Sequence, residues 1–112
     1  MPATAQNLQE SILYAAKSDV GLRRANNQDS YVVVVSPDEL NRHLRTFIVA
    51  PLTTGSHPYP FRLPVRFGGK AGHIVLDQVR TIDRERIIRR LGALSGVTLE
   101  KTLGALQQMF AV

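Results

Sequence analysis

The sequence predicts a mainly β fold with helical additions, a small barrel or curled sheet closed by one C-terminal helix. Three observations predict it. Tyr31–Val35 and Thr46–Leu52 are apolar runs rich in β-branched residues, the composition of buried strands. Phe61–Phe67 alternates, with Phe61, Leu63, Val65 and Phe67 on one side and Arg62, Pro64 and Arg66 on the other, the pattern of a half-exposed strand. Leu99, Leu103, Leu106 and Phe110 recur at i, i+4, i+7 and i+11, an amphipathic helical stripe.

In chain order, residues 1–10 are polar and small and read as a loose leader. Ser11–Lys17 is a short apolar run that suits a first strand, and Asp19–Ser30 is a polar connector bearing Gly and Asn. Ser36-Pro37-Asp38 ends the strand of Tyr31–Val35, and Asp38–His43 forms a short helical turn. Thr53–Pro60 is dense in turn formers and reads as a surface loop. Pro64 places the alternating strand at an edge or bulge, because proline cannot donate to a ladder. Gly68-Gly69 turns the chain into a strand at Gly72–Leu76, which opens into Asp77–Asp83. Ile87–Leu94 suits a strand with a charged outer edge. Thr98 reads as the N-cap of the last helix, with Glu100 in its first turn. The whole chain reads as one domain, with residues 11–31 as an atypical first strand and loop.

Composition narrows the function. The chain has 112 residues, of which 44% are hydrophobic and 21% charged, ordinary values for a globular domain. No apolar run reaches the ~20 residues of a membrane span, and the N-terminus lacks the pattern of a signal peptide. With no cysteine there is no disulfide framework, thiol nucleophile or Cys-ligated zinc, and a reducing cytoplasm is the expected location. Residues 1–33 carry three basic and three acidic side chains, so the net +5 lies entirely in 34–112. Arginine supplies 11 of the 14 basic residues, which favours forked contacts to phosphates and bases. This charge suits a polyanion such as RNA, and equally a solvated basic surface; the run Arg84, Arg86, Arg89, Arg90 carries the same two readings.

Three blocks carry a resemblance: V-V-V-V-S-P-D-E-L-N (32–41), I-V-A-P-L-T-T-G-S-H-P-Y-P-F (48–61) and I-V-L-D-Q-V-R-T-I-D (74–83), followed by the terminal helix. In this order and spacing they resemble the MazF/PemK family, the toxin half of type II toxin–antitoxin pairs. The resemblance implies an SH3-like, CcdB/MazF-type barrel that forms a homodimer. It also implies a metal-independent, sequence-selective endoribonuclease acting on single-stranded mRNA, with no cofactor, neutralised by a cognate antitoxin. Residues 12–31 differ from that pattern. Y-A-A-K-S-D-V-G-L-R-R-A-N-N-Q-D-S (14–30) resembles the opening of a bacterial PPM-type serine/threonine phosphatase, with Arg24 and Asp29 at its phosphate-binding and metal-binding positions. The remaining phosphatase motif, D-G-M-G-G, is absent, so the chain reads as a phosphatase-like opening on a toxin-like body.

Metal-free RNA cleavage proceeds by attack of the neighbouring 2′-hydroxyl and needs proton carriers and donors to the phosphate. The resemblance places Thr53 at the family's catalytic Thr, and its hydroxyl can donate to a phosphate oxygen. Thr54 beside it is a candidate RNA contact; both threonines could instead cap a turn. The family's loop Arg has no aligned counterpart, because Ser30-Tyr31 stands where the family has Arg-Pro. Arg24, earlier in the same loop, is the candidate replacement; the alternative is a solvated loop charge and a dimer that binds RNA or antitoxin without cutting, or a chimera selected for folding. Asp77 and Gln78 match an acidic-Gln pair lining the RNA groove, with Arg80 following; alternatively Asp77 pairs with Arg80 or Arg84. Phe61 suits base stacking or, by its alternation with Leu63, core packing. His43, His57 and His73 lack metal-ligand spacing, and His57 is a lesser candidate for RNA contact.

Overall fold

A computed structural model describes residues 12–16, 30–54, 60–67 and 69–111. Seven strands form one antiparallel sheet: β1 (Ile12–Ala16), β2 (Ser30–Val34), β3 (Thr46–Thr54), β4 (Arg62–Phe67), β5 (Lys70–Val75), β6 (Arg80–Asp83) and β7 (Ile87–Ala93). Their order is β4-β5-β3-β2-β1-β7, and β6 pairs with the first half of β3. Two helices are added, α1 (Asp38–Asn41) and α2 (Gly96–Met109). The leader, the connector between β1 and β2 and most of the Thr53–Pro60 segment lie outside the described residues.

The apolar run of β2 is continuous because both its faces are buried. Val32 and Val34 join Tyr14, Ala16, Phe47, Val49 and Ile82 in one cluster, against which Ile87 packs. Val33 and Val35 join Ala50, Leu52, Ile74 and Leu76 in a second, covered by β4 and by α2. The alternation of β4 holds, with Leu63, Val65 and Phe67 against this second cluster, and β4 is an edge strand, as Pro64 requires.

The S-P-D-E-L-N block has a structural cause. Ser36 Oγ donates to Asn41 Oδ1 (2.6 Å), Asn41 Nδ2 donates to the Ser36 carbonyl (2.9 Å), and Ile48 N donates to Ser36 Oγ (3.0 Å). Asn41 is 1% exposed, and these bonds offset the cost of burying its amide. Arg84 ties the same corner to the sheet, donating to the carbonyls of Asn41 and Leu44 while its guanidinium lies over the Phe47 ring. Within the basic run, Arg84 is therefore a structural clasp.

Four expectations are corrected. Thr53 and Thr54 continue β3 rather than opening the loop, because β5 pairs with both. Asp77–Asp83 contains a 3₁₀ turn (Leu76–Gln78) and the short strand β6. The N-cap of α2 is Ser95, not Thr98: Thr98 N donates to Ser95 Oγ (3.1 Å), and Glu100 falls outside the first turn. The buried stripe is also rotated. Ala105, Leu106 and Met109 pack on the second cluster and Thr102 is fully buried, its hydroxyl donating to the Thr98 carbonyl (2.7 Å), whereas Phe110 is 72% exposed beyond the helix end.

Candidate active site

Strand register brings the site residues together. Thr53 pairs with His73 of β5, and His73 pairs with Pro64 of β4. On the other side Tyr31 pairs with Leu52 and Val32 with Pro51, so one further step along that register sets Ser30 opposite Thr53, and Ser30 pairs with Ala16. One row thus crosses the sheet: Ala16, Ser30, Thr53, His73, Pro64. Residues directly opposite in an antiparallel sheet share a face, so these side chains are neighbours in turn. The β1–β2 connector departs from this end of the sheet, and so does the segment after Thr54.

Thr53 is half-buried and its hydroxyl donates to the Thr54 carbonyl at 3.2 Å, while Thr54 is exposed. Gly72 lets β5 approach this closely. A Cβ there would lie 2.2 Å from the Thr53 carbonyl oxygen and 2.8 Å from the Phe67 ring, so no larger residue fits without backbone movement. Beside Thr53, the Nδ1 of His73 is buried and has no hydrogen-bond partner among the described residues.

Two residues along β4 from Pro64, Arg62 clasps Asp77. Its Nε donates to Oδ1 and its Nη2 to Oδ2, each at 3.0 Å. The partner of Asp77 is therefore Arg62, and neither Arg80 nor Arg84. This forked bond holds the Asp77 carboxyl below its ordinary range, against a smaller opposing effect of burial. The clasp rests on a strained residue. Phe61 has φ +67°, uncommon for a side chain of this size, and is held there by Leu76 N donating to its carbonyl (3.1 Å) and by its packing on the second cluster. Gln78 is exposed on the same 3₁₀ turn as Asp77. Arg80 opens β6 opposite Val49, four residues back along β3 from Thr53, roughly 13 Å of strand, and so stands apart from the row. Arg24, Asp29 and His57 lie outside the described residues. Sequence reasoning missed Arg62 and His73, which become visible only through the β3–β5–β4 register.

The Arg62–Asp77 pair yields a prediction. Asp77 is 44% exposed, so Asp77→Asn is expected to cost less than ~1 kcal/mol at neutral pH. A carboxyl held low in the folded state stabilises it above the unfolded value, and this is lost as pH falls through the folded value. The gap between the unaltered protein and the variant in urea midpoint should therefore close in strong acid. A gap that persists there would show that the pair acts without its charge.

Among the described residues, no three His, Asp or Glu side chains gather as a metal site, and no helix is long and apolar enough to cross a membrane. No curated protein matches the chain by sequence. Among solved structures, the chain is similar to the Mycobacterium tuberculosis toxin MazF-mt6, with 20% identity, 88% of this chain and 95% of that one covered, and a TM-score of 0.74. It is similar to MazF from Deinococcus radiodurans at 21% identity, with 93% and 96% covered and a TM-score of 0.74. An endoribonuclease solved with its cognate antitoxin, from a mycobacterial species, matches at 21% identity with 89% and 91% covered and a TM-score of 0.74. These likenesses establish a shared fold. The family model of PemK-like, MazF-like toxins matches residues 9–110, from before β1 to the end of α2, and the chain belongs to that family of toxins of type II toxin–antitoxin systems.

Proposed function

We propose that this chain is a cytoplasmic, metal-independent endoribonuclease that cleaves single-stranded RNA with sequence selectivity, as a homodimer held in check by a cognate antitoxin. The row at Thr53 is the observation that carries this reading. It sets a hydroxyl donor at the end of the sheet from which two connectors depart, one of which contains Arg23 and Arg24. In this reading Thr53 donates to the scissile phosphate and Arg24 balances its charge. Thr54, Gln78, the Arg62-bound carboxylate of Asp77, Phe61 and, from β6, Arg80 contact the RNA. Exposed Ile88 and Leu91 on the edge strand β7 support a dimer, since an apolar edge is otherwise a liability.

Segment 12–31, despite its phosphatase-like sequence, serves here as the toxin's own first strand and loop. Its support is that β1 pairs on both sides, with β2 and β7, and that the family match begins at residue 9. One observation favours a second reading, a dimer that binds without cutting: Ser30 stands at the place of the family's Arg and is 2% exposed inside β2.

Incubating the purified protein with a long unstructured RNA in excess EDTA, followed by mapping of fragment ends, separates the two. Cuts at a recurrent short motif are expected, from a species that sediments at twice the chain mass. Tight, salt-sensitive binding without cuts would replace the first reading by the second, and a cleaving monomer would remove the dimer.

A further inference from the structure

We propose that His73 is a further catalytic residue of this site, the imidazole that carries a proton during RNA cleavage. This rests on the ribonuclease reading above and adds a group that neither the family match nor the sequence motifs single out. Three observations meet at His73. It is the direct cross-strand neighbour of Thr53, on the same face of the sheet. Its Nδ1 is buried without a hydrogen-bond partner among the described residues, an arrangement that costs free energy and calls for a role. His73 also lines a cavity of about 730 Å³, together with Pro64, Arg66, Ser95 and Thr98.

Among the described residues near Thr53, His73 is the group suited to carry a proton. A threonine hydroxyl donates hydrogen bonds but is no base near neutrality. Asp77 is committed to Arg62, and a carboxyl held low is a weak base. Of the two described histidines, His43 follows α1 and is exposed, which leaves His73. Among the described residues, the charged groups on the same face are Arg62 and Arg66 of β4 and Asp77 after β5, while Lys70, opposite Phe67, lies on the other face of its strand; Pro51, Thr53 and Ser30 contribute none. In the cleavage step the 2′-oxygen bonds to phosphorus as the bond from phosphorus to the 5′-oxygen breaks. A proton leaves the 2′-hydroxyl and a proton reaches the 5′-oxygen, giving a 2′,3′-cyclic phosphate and a 5′-hydroxyl. His73 carries one of these two protons, and water carries the other.

The test is a single-turnover cleavage assay across pH with His73→Gln and His73→Asn, which keep hydrogen-bonding amides near the ring positions but exchange no proton. Both are expected to cleave roughly 100- to 10,000-fold more slowly and to lose the pH dependence of the unaltered protein. Their RNA affinity should stay within about threefold, so that the loss falls on the chemical step. His43→Gln should behave as the unaltered protein. An RNA with sulfur in place of the 5′-bridging oxygen, whose leaving group needs no proton, should restore the rate if His73 serves the leaving oxygen and not if it serves the 2′-hydroxyl.

Either amide variant cleaving within threefold of the unaltered rate, with its pH profile, would overturn the proposal. So would unchanged His73 ring resonances when the unaltered protein binds an RNA with 2′-deoxy at the scissile position, a measurement that needs no variant to fold. Failure of the unaltered protein to cut any RNA would instead count against the ribonuclease reading itself.

Discussion

Thr53→Val is expected to lower RNA cleavage by roughly 100- to 1,000-fold, the loss typical of removing one preorganised donor to a developing oxyanion. Valine keeps the β-branched shape that suits β3, so the pairing with His73 should survive. Only the hydroxyl is removed, and its present bond to the neighbouring Thr54 carbonyl is long at 3.2 Å, a contact a phosphate oxygen can compete with. The melting temperature should therefore hardly move. Thr54→Val, on the opposite face and exposed, should change RNA affinity more than rate. The measurement is single-turnover cleavage beside equilibrium binding for both variants. A Thr53→Val protein that cleaves at full rate would remove Thr53 from the chemistry, whatever the family pattern.

The sequence showed the strands more clearly than the site. Continuous apolar runs and strict alternation depend on which faces are buried, and burial dominates the energetics, so β2, β3 and β4 were legible. The short β6 was not, because its four residues lie between two 3₁₀ turns and carry charge. For α2 two adjacent stripes were available. The stripe of Leu99, Leu103, Leu106 and Phe110 is the more apolar, but of it the sheet surface receives Leu106, with Thr102, Ala105 and Met109 beside it. Thr102 can take a core place because its hydroxyl bonds to its own helix, a satisfaction that hydropathy does not register. At the site, Thr53, Asp77 and Gln78 were legible only through the family resemblance. Their partners were not, since Arg62 meets Asp77 across 15 positions and His73 meets Thr53 across 20, distances set by hairpin register rather than local pattern. For Arg24 the sequence offers only its charge, and its place relative to Thr53 belongs to a connector outside the described residues.

Phe47→Ala is expected to cost about 3–5 kcal/mol of folding stability, the usual range for deleting a buried aromatic ring. Phe47 is 2% exposed and sits where β3 pairs with β6, opposite Ile82, in the cluster with Tyr14, Val34 and Val49. Its loss opens a cavity under three strands and also removes the surface beneath the Arg84 guanidinium, 5.9 Å from the ring centroid. Arg84 clasps the α1 corner through the carbonyls of Asn41 and Leu44, so the damage should spread to the Ser36–Asn41 network. Against a typical total of about 5–15 kcal/mol, such a loss leaves little margin. The melting temperature should fall by at least ~10 °C. Ile48→Ala, the next residue on the strand but 37% exposed, should cost about 1 kcal/mol or less. Both are read from urea unfolding at one fixed protein concentration, because dimer dissociation would add a concentration dependence. If the two variants unfold at the same denaturant concentration, Phe47 is not the centre of the first cluster. If Phe47→Ala instead unfolds far earlier yet cleaves normally per folded molecule in the cold, the core supports the Thr53 row without shaping its chemistry.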